Sequence, residues 1–540
     1  MATNESPAAS SRGVRKYSPN ARSAAPPAAH GSIATGGAGT SGAGTRAGEI
    51  STWVARGTDS SLATTTSGRG GSSSSSPSDV AVFAFAGKAA TRATEAIRAW
   101  AASPRALHPE QTRAVSMLRA NGACVLQGAA GSGKTTVVAE LCRLLGGAPA
   151  ARTLHSVIAN DAAPTALFPS GRATLVVDEC SMLSVPLLHR FLRTIAAAGV
   201  AIDRLILVGD LHQLPPVAGS SVQHEAVESK AVPVVTMRTS QHRQHSDGEG
   251  AGILRLASAM IEWDGFFEST FADDVFGDRA EPGATPDVRV HRVGVTTAPR
   301  YAPAPAELDA CVDAALAHAR EAHARDGERM QVLAATNVVC DRLNGALRDL
   351  YNPPRSEGGE ALAETLPVRG TRWVHRVGDR VIALKNVYVA AEQAGGGGRK
   401  GLSLTVGNGD LGEVVRVAKT EATVRFLNGE EIVFGAFRRS HGRKRVFAEV
   451  APAYAVSVHK FQGSECDSLL YLNFSWKVGG FMTRNLLYTA LTRAKKRALL
   501  VSSVPQLSAC APWAAASKCR MHVKACAASA AMEAAAMSTS

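Results

Sequence analysis

The sequence predicts an α/β protein with two domains, each built on a parallel sheet, and three observations carry that expectation. Gly128-Ala-Ala-Gly-Ser-Gly-Lys-Thr135 fills every position of the phosphate-loop pattern G-x-x-x-x-G-K-[ST]. It stands between an apolar run, 123–127, that reads as a buried strand, and 135–145, where the apolar spacing is helical. Two further apolar runs, 173–178 and 204–210, each end in a carboxylate, at the strand end where parallel sheets place their ligands. A second α/β pattern begins near residue 305, with a helix over 305–325 and a strand over 330–335.

Along the chain, residues 1–78 are Ser, Ala, Gly and Thr with almost no apolar clusters, so a disordered leader is expected. Order is expected from about Val80, with a helix over 89–101 and the segment Leu107–Val115 leading to the phosphate loop. The first domain spans 79–265 and a Pro/Asp/Gly-rich connector spans 266–304. The second domain spans 305–505, and within it about 365–450 changes to short strands with turn signals at Gly378-Asp379, Asn408–Gly412 and Asn428-Gly429. A small inserted β-barrel is expected there. Residues 506–540 are Ala-rich and read as a loose tail.

A length of 540 residues and an apolar fraction of 45% are those of a protein with real cores. The net charge of +13 points to a polyanionic partner, although basic tails alone reach the same total. No apolar stretch approaches the roughly 20 residues of a membrane span, and no apolar signal segment opens the chain. A soluble intracellular protein is expected. The arginines of the leader, with few acids against them, fit either an organelle transit segment or a plain flexible leader, and the nucleus is equally open. The nine cysteines form no C-x-x-C pair, and Cys510, Cys519 and Cys526 with His522 are spaced more widely than usual zinc ligands, so no metal framework is expected.

The chemistry predicted at the loop is nucleotide phosphate binding. Gly128, Ala129, Ala130, Gly131, Ser132 and Gly133 offer backbone N–H groups to phosphates, Lys134 reaches the terminal phosphates, and Thr135, followed by Thr136, can ligate Mg2+. The strand end Asp178-Glu179 supplies one carboxylate for magnesium, with Thr135, and one to orient the attacking water.

Beyond the loop, Leu205-Ile-Leu-Val-Gly-Asp-Leu-His-Gln-Leu-Pro-Pro-Val217 resembles the third motif of superfamily 1 helicases, and further motifs follow in order. Gln241-His-Arg-Gln244 resembles the fourth, and Val332–Asn337 the strand opening the second motor domain. Tyr454-Ala-Val-Ser-Val-His-Lys-Phe-Gln-Gly-Ser-Glu465 and Asn485-Leu-Leu-Tyr-Thr-Ala-Leu-Thr-Arg-Ala-Lys495 resemble motifs V and VI. The wording is most similar to the RecD-like 5′→3′ branch, over about residues 105–505. The resemblance implies two RecA-like P-loop NTPase domains, an SH3-like insertion in the second, and ATP with Mg2+ as cofactors. It makes Gln111 a reader of the adenine edge, Gln213 a γ-phosphate sensor, Arg243 and Arg493 the arginines that clamp that phosphate, and Glu465 a residue near the ribose. It assigns strand contacts to His155, Asn337, His459, Lys460 and Gln462. The basic run Arg438, Arg439, His441, Arg443, Lys444 and Arg445 either grips phosphates or is a solvated face.

One departure stands out. The resembling family carries a full strand and an Ala-Pro-Thr loop between the phosphate loop and a Thr-x-His-Ser segment, whereas here Thr153-Leu-His-Ser156 follows the helix almost at once. Only 148–152 is left as a remnant, so a central strand is expected to be missing. The leading expectation is an ATP-dependent DNA helicase acting on single-stranded DNA and duplex junctions in repair, recombination or replication. The alternatives are a nucleic-acid-stimulated ATPase or translocase that unwinds weakly, RNA as the track, and a binding protein with a dead motor. No nuclease motif is visible, and nothing in the residues names a protein partner.

Overall fold

A computed structural model describes residues 15–16, 78–146, 150–159, 163–238, 249–265, 270–276, 287–294, 303–354, 373–390, 402–418, 421–435, 437–438, 445–446, 449–476 and 481–513. The chain divides into two compact units, a smaller one of Met1–Ser23 with Cys340–Val456 and a larger one of Ala24–Val339 with Ser457–Ser540. Nearly all of the low-complexity leader, the Gln241–Gln244 motif with Arg243, and Cys519, His522 and Cys526 lie outside the described residues, as does most of the basic run after Arg438.

The larger unit contains two parallel sheets. In the first, the strands are β1 (Asp79–Ala84), β2 (Ala123–Gly128), β3 (Arg152–Thr153), β4 (Arg172–Asp178), β5 (Ala201–Gly209) and β6 (Val234–Met237), in the spatial order β3-β1-β4-β5-β2-β6. Helices α1 (Gly87–Ala102), α2 (Pro109–Ala120) and α3 (Lys134–Leu144) follow β1 and β2. Each central strand is apolar on both faces, as a helix-covered parallel sheet requires. In β1, Ala81 and Phe83 enter one core with Leu175, Val177 and Phe191, while Val82 enters the other with Leu126, Val137 and Ile206. The Phe83 ring meets that of Phe191 edge-on at 4.9 Å.

The expectation of a missing strand is thereby corrected. The place next to β4 is filled by β1, which precedes the phosphate loop, paired from Asp79↔Ala173 to Ala84↔Asp178. A parallel sheet selects a strand by direction and by apolar side chains for both faces, and neither depends on position along the chain. Ser78 and Asp79 seat the start of β1 with hydrogen bonds to the Thr174 hydroxyl (3.0 Å) and from the Ser170 N–H (2.8 Å).

The second sheet includes β7 (Val288–Val293), β8 (Gln331–Ala334), β9 (Cys466–Asn473) and β10 (Ala494–Ser503), with β9 between β8 and β10 and β7 beside β10, all parallel. β7 falls in the stretch expected to be connector, because Val288 and Val290, alternating with exposed Arg289 and His291, give it a buried side that the Pro/Gly count concealed. Order also extends past 506, to Trp513. The reason is Arg484, at the start of α4 (Arg484–Leu491), whose guanidinium lies over the rings of Trp263, Phe271 and Trp513 at 4.6, 5.2 and 4.9 Å. It donates to the carbonyls of Ala511, Met260 and Trp263, and burial brings its pKa down to about 10. Cys510 is buried against Asn473 and the Gln506 carbonyl.

The smaller unit carries an antiparallel sheet in the order Glu431–Gly435, Glu421–Phe426, Leu411–Val417, Arg380–Ala383, Val450–Pro452, with Arg15–Lys16 added in parallel outside Glu431–Gly435. Among the described residues these strands form an open sheet, and the expected closure into a barrel is not seen among them. Phe437–Arg438 pairs with Arg445–Val446 instead of bridging the two edges. The unit has its own core, around Val381, Val414, Val424 and Phe434. Buried Asp379 accepts two hydrogen bonds from Arg348 and one from the Tyr454 hydroxyl, and burial beside that carboxylate pushes the Tyr454 pKa up to about 12.

If β1 is a central strand, Phe83→Ala should cost about 3–5 kcal/mol in urea unfolding, the penalty of a large buried aromatic replaced by a cavity. A loss below about 1 kcal/mol would mean that residues 79–84 are not held in the core.

Candidate nucleotide site and strand contacts

The phosphate loop is set by its glycines. Gly131 and Gly133 have φ of 75° and 85°, the left-handed region that side chains disfavour, and a Cβ on Gly128 would stand 2.5 Å from the Ser132 hydroxyl. Lys134 Nζ donates to the carbonyls of Gly128 (2.7 Å) and Ala129 (3.0 Å), so the lysine is folded onto its own loop. The buried Ser132 hydroxyl has no partner. Thr135 is exposed and Thr136 half-buried at the start of α3. Gln111 abuts the loop: its Oε1 accepts from the His108 N–H at 3.0 Å, and its Nε2 lies 2.6 Å from where a Cβ on Gly133 would be.

Asp178 ends β4 and accepts from the Glu179 N–H at 2.9 Å, and Glu179 itself has φ of 54°. A non-glycine residue held there is strained, and strain of this kind collects at functional positions. Burial, reinforced by the Glu179 charge, pushes the Asp178 pKa up to about 6. A carboxylate so poorly compensated fits a cation, and the oxygen set of Asp178 with the Thr135 hydroxyl suits magnesium. Among the described residues no cluster of three or more His, Cys, Asp or Glu could hold a metal unaided. Magnesium here would need phosphate and water as further ligands.

The second sheet contributes through α4. The Tyr488 hydroxyl, fully buried, accepts from the Ala130 N–H of the phosphate loop (2.9 Å) and donates to Asp210 at the end of β5 (2.8 Å). Burial opposes ionisation of Asp210, but the His212 side chain, Lys134 and this hydroxyl together hold its pKa below the usual range. Asn485 donates to the carbonyls of His212 and Gln213, both at 3.1 Å, and the Thr489 hydroxyl accepts from the Leu214 N–H at 2.9 Å. Gln213 is 5% exposed, its Oε1 without a partner. Arg493 is 4% exposed, and its hydrogen bonds go to neutral oxygens of Thr489, Ser464 and Thr492. Hydrogen-bonded only to neutral oxygens, with the Glu465 carboxylate within its field, this buried guanidinium suits an incoming anion.

The expected strand contacts are more dispersed. His155 is exposed, edge-on to Phe85 at 5.5 Å, and Asn337 is exposed at the start of its helix. His459 is half-buried with its ring over Phe481 at 6.4 Å, and Lys460 is exposed. Gln462 is buried and donates to the Leu214 carbonyl at 3.4 Å, which links this turn to the Gln213 segment. Glu465, expected near a ribose, is ion-paired with Arg92 and with Lys495 at 3.3 Å. Tyr488, Asn485, Thr489 and Arg92 were not singled out from sequence. The first three share one helix face at i, i+3 and i+4, a spacing readable once α4 is known to face the loop; Arg92 has no such signal.

Two outcomes follow. Asp178→Asn keeps the acceptor for the Glu179 N–H but removes the buried charge, so ATP turnover should be lost while the nucleotide-free protein becomes more stable by on the order of 2–3 kcal/mol. Because the folded pKa is raised, that gain should be complete above about pH 6 and vanish towards pH 4 in thermal melts across pH. Tyr488→Phe leaves Asp210 and the Ala130 N–H short of a partner and should destabilise by about 1–3 kcal/mol by denaturant titration.

Residues 452–501 match the model of the UvrD-like helicase C-terminal domain, and 144–263 match an AAA domain. The ATP-dependent RecD2 DNA helicase of Deinococcus radiodurans is 27% identical over 437 residues, covering 74% of this chain and 50% of that protein. The RecBCD enzyme subunit RecD of Mycobacterium tuberculosis is 27% identical over 448 residues, covering 73% and 69%. The chain thus spans half the length of the first relative and about two thirds of the second. The solved structure of a Bacteroides Pif1 helicase with ADP-AlF3 and ssDNA has a TM-score of 0.42 at 17% identity, covering 74% of this chain and 94% of that one. With the phosphate loop, the paired carboxylates and α4 joined at one site, and RecD-type sequences aligned along about three quarters of its length, the chain is similar to the RecD-type DNA helicases.

Proposed function

We propose that this protein is an ATP-dependent DNA helicase that moves 5′→3′ on single-stranded DNA. The observation that carries the reading is the convergence of both parallel sheets on one phosphate site, with Tyr488 of α4 on the Ala130 N–H, Gln213 buried with its Oε1 unpartnered, and Arg493 buried nearby. Bound ATP with magnesium would supply the phosphoanhydride whose hydrolysis drives movement. Lys134 and the loop amides hold the phosphates, Thr135 and Asp178 hold magnesium, Glu179 orients the attacking water, and Gln111 reads the adenine edge. Gln213 and Arg493 respond to the terminal phosphate, and Arg243 is the matching arginine that the resemblance assigns. His155, Asn337, His459 and Lys460 are the strand contacts.

Two alternatives lose ground. A dead motor does not fit the presence of Lys134, Thr135, Asp178, Glu179, Gln213 and Arg493. A weakly unwinding translocase was favoured by the missing strand, and β1 fills that place. Duplex junctions as substrate, and work in repair, recombination or replication, extend the same reading. Among the described residues no helix is long and apolar enough to cross a membrane.

Strand displacement on two otherwise identical duplexes, one with a 5′ tail and one with a 3′ tail, should proceed with ATP only from the 5′-tailed substrate, and Lys134→Ala should abolish it. DNA-stimulated ATP turnover with neither duplex opened would select the translocase reading. An RNA tail preferred over DNA would replace the track.

A further inference from the structure

Helix α1 follows β1 and lies before the phosphate loop in the chain, and one of its faces rests on the turn 461–465. Lys88 Nζ sits 5.8 Å from the Phe461 ring centroid. Ala86 and Ala89 line the approach to Gly463, whose φ is 78° and where an added Cβ would lie 3.5 Å from the Ala89 methyl. Four residues on from Lys88, Arg92 donates from Nη1 to the Gly463 carbonyl at 3.1 Å and from Nη2 to the Glu465 carboxylate. Burial opposes ionisation of Glu465, and Arg92 leads the charges that overcome it. The same turn also meets the nucleotide site: Arg493 Nη1 donates to the Ser464 carbonyl at 3.5 Å, and Gln462 donates to the Leu214 carbonyl beside Gln213 at 3.4 Å.

We propose that Arg92 is a positioning residue that couples strand binding at His459 and Lys460 to ATP turnover through the turn that holds Arg493 and the Gln213 segment. The inference rests on the helicase reading above. The turn carries the strand contacts at one end and both Arg92 acceptors at the other, only three to six residues apart, so a displacement caused by a bound strand is transmitted to the guanidinium. A planar fork held on two acceptors of different kinds fixes the orientation of the turn as well as its distance, which an ammonium on one acceptor does not. The small residues at 86 and 89 permit the close approach that puts the fork in reach.

The test is ATP turnover of the full chain with and without oligo(dT), for wild type, Arg92→Ala and Arg92→Lys, with oligo(dT) affinity measured by fluorescence anisotropy. Arg92→Ala should leave the DNA-free rate within about twofold and cut the stimulation by DNA about 5- to 20-fold, a loss in the range of ordinary coupling energies, with little change in DNA affinity. Arg92→Lys, able to satisfy one acceptor at a time, should fall between. Should the alanine variant not fold, Arg92→Gln carries the same comparison. Equal loss of both rates, or stimulation unchanged in Arg92→Ala, overturns the proposal. A wild type whose turnover ignores DNA overturns the helicase reading, and the coupling with it.

Discussion

The buried hydroxyl of Tyr488 is the contact on which the nucleotide site depends. It accepts the Ala130 N–H and donates to Asp210, so one side chain from the second sheet satisfies one group of the phosphate loop and one at the end of β5. Asp210 is buried and Ala130 half-buried, and away from water an unpaired amide or carboxylate costs more than a hydrogen bond gains. That asymmetry forces α4 to sit where it does. Asn485 and Thr489, on the same helix face, then meet the backbone of 212–214 almost without choice.

Around that contact the polar groups fall into two sets. Asp210, Glu465 and Lys134 are engaged by side chains or carbonyls of the protein itself. Ser132 Oγ and Gln213 Oε1 are buried with none, Asp178 is held at a raised pKa, and the hydrogen bonds of buried Arg493 go only to neutral oxygens. Interiors do not leave donors, acceptors and charges in this condition without cause. A magnesium-bound triphosphate is a chemical entity that answers all of them together: anionic oxygens for the guanidinium and the hydroxyl, a cation for the carboxylate, and a water or phosphate edge for the glutamine.

How much of this could be read in the sequence depends on whether a residue acts through local pattern or through distant neighbours. The phosphate loop, Asp178-Glu179 and Gln213 were legible because each belongs to a short run whose strand or helix is evident from apolar spacing. Strand β7 was hidden by the Pro and Gly around it, and the open edge of the small sheet by turn signals that suit a barrel equally well. The ordering of 507–513 rests on Arg484 beneath three aromatic rings, two of which lie more than 200 positions away in the chain. Arg92 and the buried state of Gln462 are likewise products of tertiary contact, with no local signature to betray them.

The most instructive error concerned β1. Reading motifs as a procession along the chain made the short stretch between α3 and Thr153 look like the loss of a central strand. The sheet instead accepts 79–84 in that place, and their helix packs beside α3 with the Thr94 hydroxyl taking the Ala151 N–H at 2.8 Å. Physically the exchange is cheap. Closing a longer path costs only logarithmically more entropy, while a lost neighbour would leave the N–H and C=O groups along that edge of β4 without strand partners. What cannot be relaxed is the side-chain pattern: Val82 and Phe83 for opposite faces, small residues at 86 and 89, and a guanidinium at 92. Residues meeting those demands work from either side of the phosphate loop, and for this protein register against Asp178 is a better guide to role than order along the chain.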